Sequence, residues 1–151
     1  MSDVSIRFIK ENEIDRLVDL SELHAEFERA EYTREGKEEN LRRHLFQENS
    51  PLFCLVAIGN NKIVGYATYM QQYSTWDASY YYYMDCLYLE SASRSKGIGQ
   101  QLMERIEAEG QKNGIKMIQW QTPEFNTRAI KFYNRFGGVS KSKERYFYNV
   151  K

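Results

Sequence analysis

Apolar and polar residues alternate at the start of the chain, in VSIRFIK, as they do along a half-buried strand. The period then lengthens. Ile14, Leu17, Val18 and Ser21 recur at three and four, which predicts a helix capped by Asn12 and running towards Phe27. A second helical stretch, near Glu38 to Gln47, sets Leu41 and Leu45 on one face, and Pro51 ends that region. Two strands follow, LFCLVAI and IVGYATYMQQYS, with Gly59 and the two asparagines after it supplying a hairpin turn. Beyond the short loop TWDAS, the long aromatic strand YYYYMDCLYL feeds into a loop that holds two glycines. From about Ile98 to Lys112 the spacing of Ile98, Leu102 and Ile106 predicts a helix stopped at Gly114. KMIQWQT reads as a strand, Asn126 as the cap of a helix over TRAIKFYNRF ended by Gly137 and Gly138, and RYFYNV as a last strand.

The order is strand, two helices, three strands, helix, strand, helix, strand. Hairpins in the first half require antiparallel pairing, whereas the strand-helix-strand units of the second half favour a locally parallel pair. The expected fold class is therefore α/β (α+β): a single mixed, mostly antiparallel sheet flanked by helices. With 151 residues, 42% of them hydrophobic, there is material for one well-buried core and too little for two ordinary domains. Residues 1–151 are expected to form a single domain.

Charge narrows the partners. The 21 basic and 21 acidic residues cancel, so no overall field would hold the chain on nucleic acid or on an anionic membrane, and neither partner is expected. MSDVSIRFIKENE lacks the basic start, apolar run and cleavage site of a signal peptide, and no apolar stretch approaches spanning length; the expected location is cytoplasmic. Cys54 and Cys86 lie in apolar strand-like runs, where a free thiol serves as a small buried hydrophobe. With His24 and His44 they show no C-x-x-C or H-x-x-x-H spacing, so no metal site is expected. Between Glu22 and Glu39, seven glutamates face only Arg29, Arg34 and Lys37, a local excess that suits a cationic partner or a solvated helix surface.

The loop RSKGIG, Arg94 to Gly99, is the main chemical signal. Two glycines one residue apart at the start of a helix let backbone N–H groups approach a ligand closely, commonly a phosphate, although they also serve a plain strand-to-helix turn. A P-loop would need Gly-Lys-Ser/Thr, which is absent. A dinucleotide-binding turn would need a third small residue where the chain has Leu102, and an acidic residue where the next strand ends in Gln121 and Thr122. What remains is a loop with bare amides and the cations Arg94 and Lys96 on a helix N-terminus, which suits a pyrophosphate held without metal.

The run from Tyr80 to Phe136 resembles the acetyl-coenzyme A half of the GNAT superfamily of N-acetyltransferases. Arg94, Gly97 and Gly99 match its signature of Arg or Gln, two residues, Gly, any residue, Gly or Ala. NTRAIKFYNRFG, from Asn126 to Gly137, matches the second motif, an Asn followed by an A-x-x-F-Y-x-x-x-G helix. The stretch before the loop, with Ser74-Thr75-Trp76-Asp77, is similar to the branch that holds the diamine and polyamine acetyltransferases and the small yeast histone and D-amino-acid acetyltransferases. The resemblance covers most of residues 63–138; the first third fits only by its strand-helix-helix order.

By that resemblance the chain is an enzyme that uses acetyl-CoA as co-substrate, with a small-molecule or peptide amine as acceptor and a second copy of itself as partner. Backbone groups of Leu87, Tyr88 and Leu89 would pair with the pantetheine arm, and the amides of Arg94, Ser95, Lys96, Gly97, Ile98, Gly99 and Gln100 would hold the pyrophosphate. Asn126 would touch the cofactor, although a plain helix cap fits it equally. Tyr133 would give the departing thiolate its proton. Packing of the helix against the sheet is the other reading of that aromatic. Asp85 stands where relatives carry an acid that takes the amine proton, often through water, and could equally bond neighbouring backbone. Side chains of Tyr80 to Tyr83 alternate along a strand, so two could line an acceptor groove while two pack; packing alone is the favoured reading for most of them, and Trp76 with Asp77 could touch a cationic acceptor. A chain of this fold that bound acyl-CoA without turnover is the competing expectation.

Overall fold

The centre of the sheet is set by a two-residue turn. In the computed structural model, which describes residues 3–151, Asn60 and Asn61 take φ of 53° and 63° between strands β2 (Leu52–Gly59) and β3 (Lys62–Ser74). Two consecutive left-handed residues make the turn whose twist matches that of the strands it joins. β1 (Val4–Phe8) pairs antiparallel with β2 on one side, and β4 (Ser79–Leu89) pairs antiparallel with β3 on the other. After the crossover helix α3 (Ile98–Lys112), the short β5 (Ile118–Trp120) joins β4 in parallel, giving the order β1-β2-β3-β4-β5. The expected mixed, mostly antiparallel α/β sheet is present.

Helices cover both faces. α1 (Ile14–Phe27) buries Ile14, Leu17, Val18 and Leu20 in a cluster with Cys54, Val56, Tyr66 and Tyr88, and α2 (Lys37–Phe46) adds Leu41 and Leu45 at its margin. On the opposite face, Phe53 stacks on Tyr69 and Tyr69 packs on Tyr82. The Tyr82 ring lies beside Gly110 of α3, and its hydroxyl accepts from Asn113. Ile98, Leu102, Met103 and Ile106 bury that helix.

Asn12 does not cap α1. It lies in a single 3-10 turn, Glu11–Glu13, through which the chain enters the helix. The ordering group is the Glu13 carboxylate, which accepts from the Lys10 amide and from both terminal nitrogens of Arg7. Those hydrogen bonds hold its acid strength above that of an ordinary glutamate. Gly114, at φ 73°, stops α3 as expected.

The chain forms two compact units, the first ending at Gln121 and the second spanning Thr122–Lys151. In the second, α4 (Thr127–Phe136) starts where Asn126 Oδ1 accepts from the Ala129 amide and ends at Gly137, φ 109°, with Gly138 donating to the Tyr133 carbonyl. Both caps are the expected ones. The expected last strand, RYFYNV, is not formed: residues 137–151 carry no regular structure, and Tyr146 and Phe147 are 89% and 83% exposed. Alternation and aromatic content give a segment strand propensity, but a strand needs partner amides, and this unit contains no strand to offer them.

Candidate active site

One residue of β4 decides the shape of the site. Thr68 pairs with Cys86 and Tyr69 with Met84, so Asp85 is the extra residue of a β-bulge. The bulge coincides with the end of pairing on the other side, because β5 matches only Tyr82, Tyr83 and Met84. From Cys86 to Leu89, β4 therefore keeps β3 on one edge while its other edge has no ladder partner among the described residues. Asp85 itself is exposed. This free edge spans the backbone of Leu87, Tyr88 and Leu89, the three residues assigned to it from sequence.

β4 then runs through a 3-10 turn, Ser91–Ser93, into the glycine loop. Ser95 and Gly97 both take the left-handed conformation, at φ 64° and 79°, and Gly97 sits at the start of α3. The first bond of that helix end is Gln101 N–H to the Gly97 carbonyl, 3.1 Å. The amides of Ile98, Gly99 and Gln100 precede it and face out of the helix terminus, at its positive end. Ile98 is buried and anchors this turn, while Lys96 and Gln100 are exposed. A Cβ at Gly97 would meet nothing within 4 Å, so the loop's outer side is open.

Arg94 is placed differently from the other loop residues. Its amide donates to the Ser91 carbonyl at 3.3 Å and its Nε to the Leu89 carbonyl at 3.0 Å. Its guanidinium lies over the rings of Phe27 and Tyr88, at 4.5 and 5.4 Å. Lys96 has the exposed cation of the loop.

The α1 side of this strand end holds side chains that the sequence reading did not assemble. His24 Nδ1 is 2.9 Å from the Tyr66 hydroxyl and its Nε2 is 2.8 Å from the Glu28 carboxylate, while its ring stacks on Tyr88 at 5.1 Å. Burial pushes the Tyr66 phenol well up, so the hydroxyl keeps its proton, and the Cys86 thiol is pushed up to about 11 by burial and then by the Asp85 charge. The i, i+4 spacing of His24 and Glu28 was the available sequence signal. At the far end of β4, Tyr82 is buried against α3, Tyr81 donates to Gln72, Tyr83 accepts from Gln121, and Tyr80 packs edge-on against Tyr73 with about half its surface exposed. Among the described residues, no three His, Cys, Asp or Glu side chains gather as a metal site would require.

In the second unit, α4 presents Tyr133 beside Phe132, with ring centroids 5.3 Å apart. The Asn126 side chain is its helix cap. No helix among the described residues is long and apolar enough to cross a membrane.

Comparison with known proteins places these features. The family model for Acetyltransferase (GNAT) matches residues 17–138. Thialysine N-epsilon-acetyltransferase of Mus musculus is 27% identical over 145 residues, covering 91% of this chain and 85% of that protein. D-amino-acid N-acetyltransferase HPA3 of Saccharomyces cerevisiae is 29% identical over 72 residues, 48% of this chain and 45% of that one. Among solved structures, an aminoglycoside acetyltransferase from an uncultured soil metagenomic sample, crystallised with sisomicin, superposes with a TM-score of 0.83 at 20% identity, over 98% of this chain and 97% of its own. An aminoglycoside N-acetyltransferase in complex with CoA gives 0.80 at 16% identity, over 100% and 97%. A strand whose free edge leads into a glycine loop on a helix N-terminus is thus joined to a family match across four-fifths of the sequence, and the chain belongs to the GNAT family of acetyltransferases.

Proposed function

We propose that this acetyltransferase moves the acetyl group of acetyl-CoA to a primary amine by direct attack in a ternary complex. The free edge of β4 beyond the Asp85 bulge, continuous with the open N-terminus of α3, is the observation that carries the reading. An extended amide-bearing arm adds to such an edge as a further strand would, here along Leu87, Tyr88 and Leu89. A pyrophosphate suits the amides of Ile98, Gly99 and Gln100, with Ser95, Lys96 and Gly97 around it and Arg94 framing the loop. Asn126 is assigned a contact to the donor in addition to its cap.

The acceptor must attack as a neutral amine. A lysine-like amine near pKa 10.4 costs about 4.6 kcal/mol to deprotonate at pH 7, so the site has to supply a route for that proton. Asp85, exposed at the bulge, is assigned that role through water, its side chain being short for direct contact. As the N–C bond forms and the C–S bond breaks, the amine loses a proton to this route and the sulfur gains one from the Tyr133 hydroxyl. Residues 1–151 are assigned to one catalytic domain.

A lysine-like amine is favoured as acceptor by the thialysine-acetylating relatives and by the acidic stretch around the α1 end. The exposed aromatic residues of the C-terminal segment, Tyr146 and Phe147, support a homodimer in which they are covered. Two free cysteines suit a reducing, cytoplasmic setting.

Tyr133→Phe tests the mechanism. With acetyl-CoA and thialysine, the turnover rate is expected to fall roughly a hundredfold, while the KM for acetyl-CoA stays within about twofold, the ring being retained. A turnover rate unchanged by the substitution would remove Tyr133 from the chemistry.

A further inference from the structure

Ser95 holds a left-handed backbone, φ 64°, without being glycine. Such a residue persists where its surroundings fix it. The loop's entry is fixed from outside, by α1. Phe27, the last residue of that helix and 43% exposed, places its ring 4.5 Å from the Arg94 guanidinium and edge-on to Tyr88. Tyr88 is covered in turn by His24, which Tyr66 and Glu28 hold at both ring nitrogens. Arg94, lying over the Phe27 and Tyr88 rings, donates to the Leu89 carbonyl and so ties the loop to the last residue of β4. The cation expected to meet phosphate is thereby directed at the protein's own aromatic residues and backbone.

We propose that the C-terminal turn of α1, through Phe27, is a positioning element for the donor loop: Phe27 clamps Arg94, Arg94 clamps the end of β4, and the amides of Ile98, Gly99 and Gln100 are preorganised for the pyrophosphate before it arrives. This rests on the reading of the loop as the acetyl-CoA site. A preformed cradle binds more tightly because less ordering remains for the ligand to impose. The helix that borders the acidic stretch would then also tune donor affinity.

Phe27→Leu removes the ring and keeps apolar bulk, and Phe27→Tyr restores the ring. CoA affinity by calorimetry, with amide hydrogen exchange of the ligand-free proteins, separates the outcomes. For Phe27→Leu, CoA affinity is expected to weaken roughly three- to tenfold, consistent with loss of a partly exposed cation–ring contact. Exchange should accelerate at residues 94–100 with the sheet unchanged, and Phe27→Tyr should recover both. Arg94→Lys should behave like Phe27→Leu, because lysine keeps the charge and loses the planar fork. Wild-type protein that binds CoA, with Phe27→Leu matching it in affinity and loop exchange, would overturn the clamp alone. Wild-type protein that does not bind CoA would overturn the donor-site reading and the clamp with it.

Discussion

At the scale of single residues, two positions test the environment of β4 and its loop. Cys86 follows the bulge, and its thiol, pushed up from the ordinary 9.0 to about 11, has a thiolate fraction on the order of one in a thousand at pH 8. Cys54, buried on the same face, is pushed higher. Neither should react with a thiol reagent at pH 8 until the protein is unfolded; rapid stoichiometric labelling of native protein would show that the strand end is not packed as described. Gly97 makes the complementary case. Space around it is open, but its φ of 79° disfavours any side chain. Gly97→Ala should cost about 1 kcal/mol of stability and place a methyl group on the outer side of the proposed cradle. A larger loss in CoA affinity than in stability is expected, and CoA titrations alongside thermal melts would detect it.

Among the elements, β4 was both the most and the least legible. Its existence and its lead into the loop follow from the run of aromatic and β-forming residues before RSKGIG. The bulge does not follow. Tyr82, Met84, Cys86 and Tyr88 recur with period two and read as one face, yet the extra residue at Asp85 sends Tyr82 towards α3 and Cys86 with Tyr88 towards α1. Only the register with β3 reveals that switch, and register is a property of two strands. Gly65 belongs to the same pairing. A Cβ there would stand 2.7 Å from the Tyr88 carbonyl oxygen and 2.3 Å from Leu89 Cδ2. Gly65→Ala must move the end of β4, and a loss of about 1–3 kcal/mol in denaturant melts is expected, with weaker CoA binding. Unaltered melts would mean that β3 and β4 pass less closely than described.

Over the whole molecule, local signals were legible and long-range ones were not. Turns and caps depend on neighbours in sequence, which is why the Asn60-Asn61 hairpin, the Gly114 stop and the Asn126 cap could be read directly. Asn12 failed as a cap because the competing carboxylate of Glu13 is drawn to Arg7, on a strand. The last strand failed because propensity does not supply a partner. The α1 cluster of His24, Phe27, Glu28 and Tyr66 escaped for a related reason: its members meet only after the sheet has brought β3 and β4 beneath the helix. The glycine loop, carried on a contiguous motif, was visible; the α1 cluster, assembled from distant elements, was not.

Acetyl transfer from acetyl-CoA to a primary amine, as proposed, is read by thiol release from acetyl-CoA. Thialysine, spermidine, putrescine, a D-amino acid, an aminoglycoside and a histone-tail peptide would be offered separately, with product mass confirmed. Release that depends on the amine, fastest with thialysine or another lysine-like amine and matched by one acetyl group gained on the acceptor, is the expected result. No release above the amine-free rate with any of them, from protein that binds CoA, would contradict it.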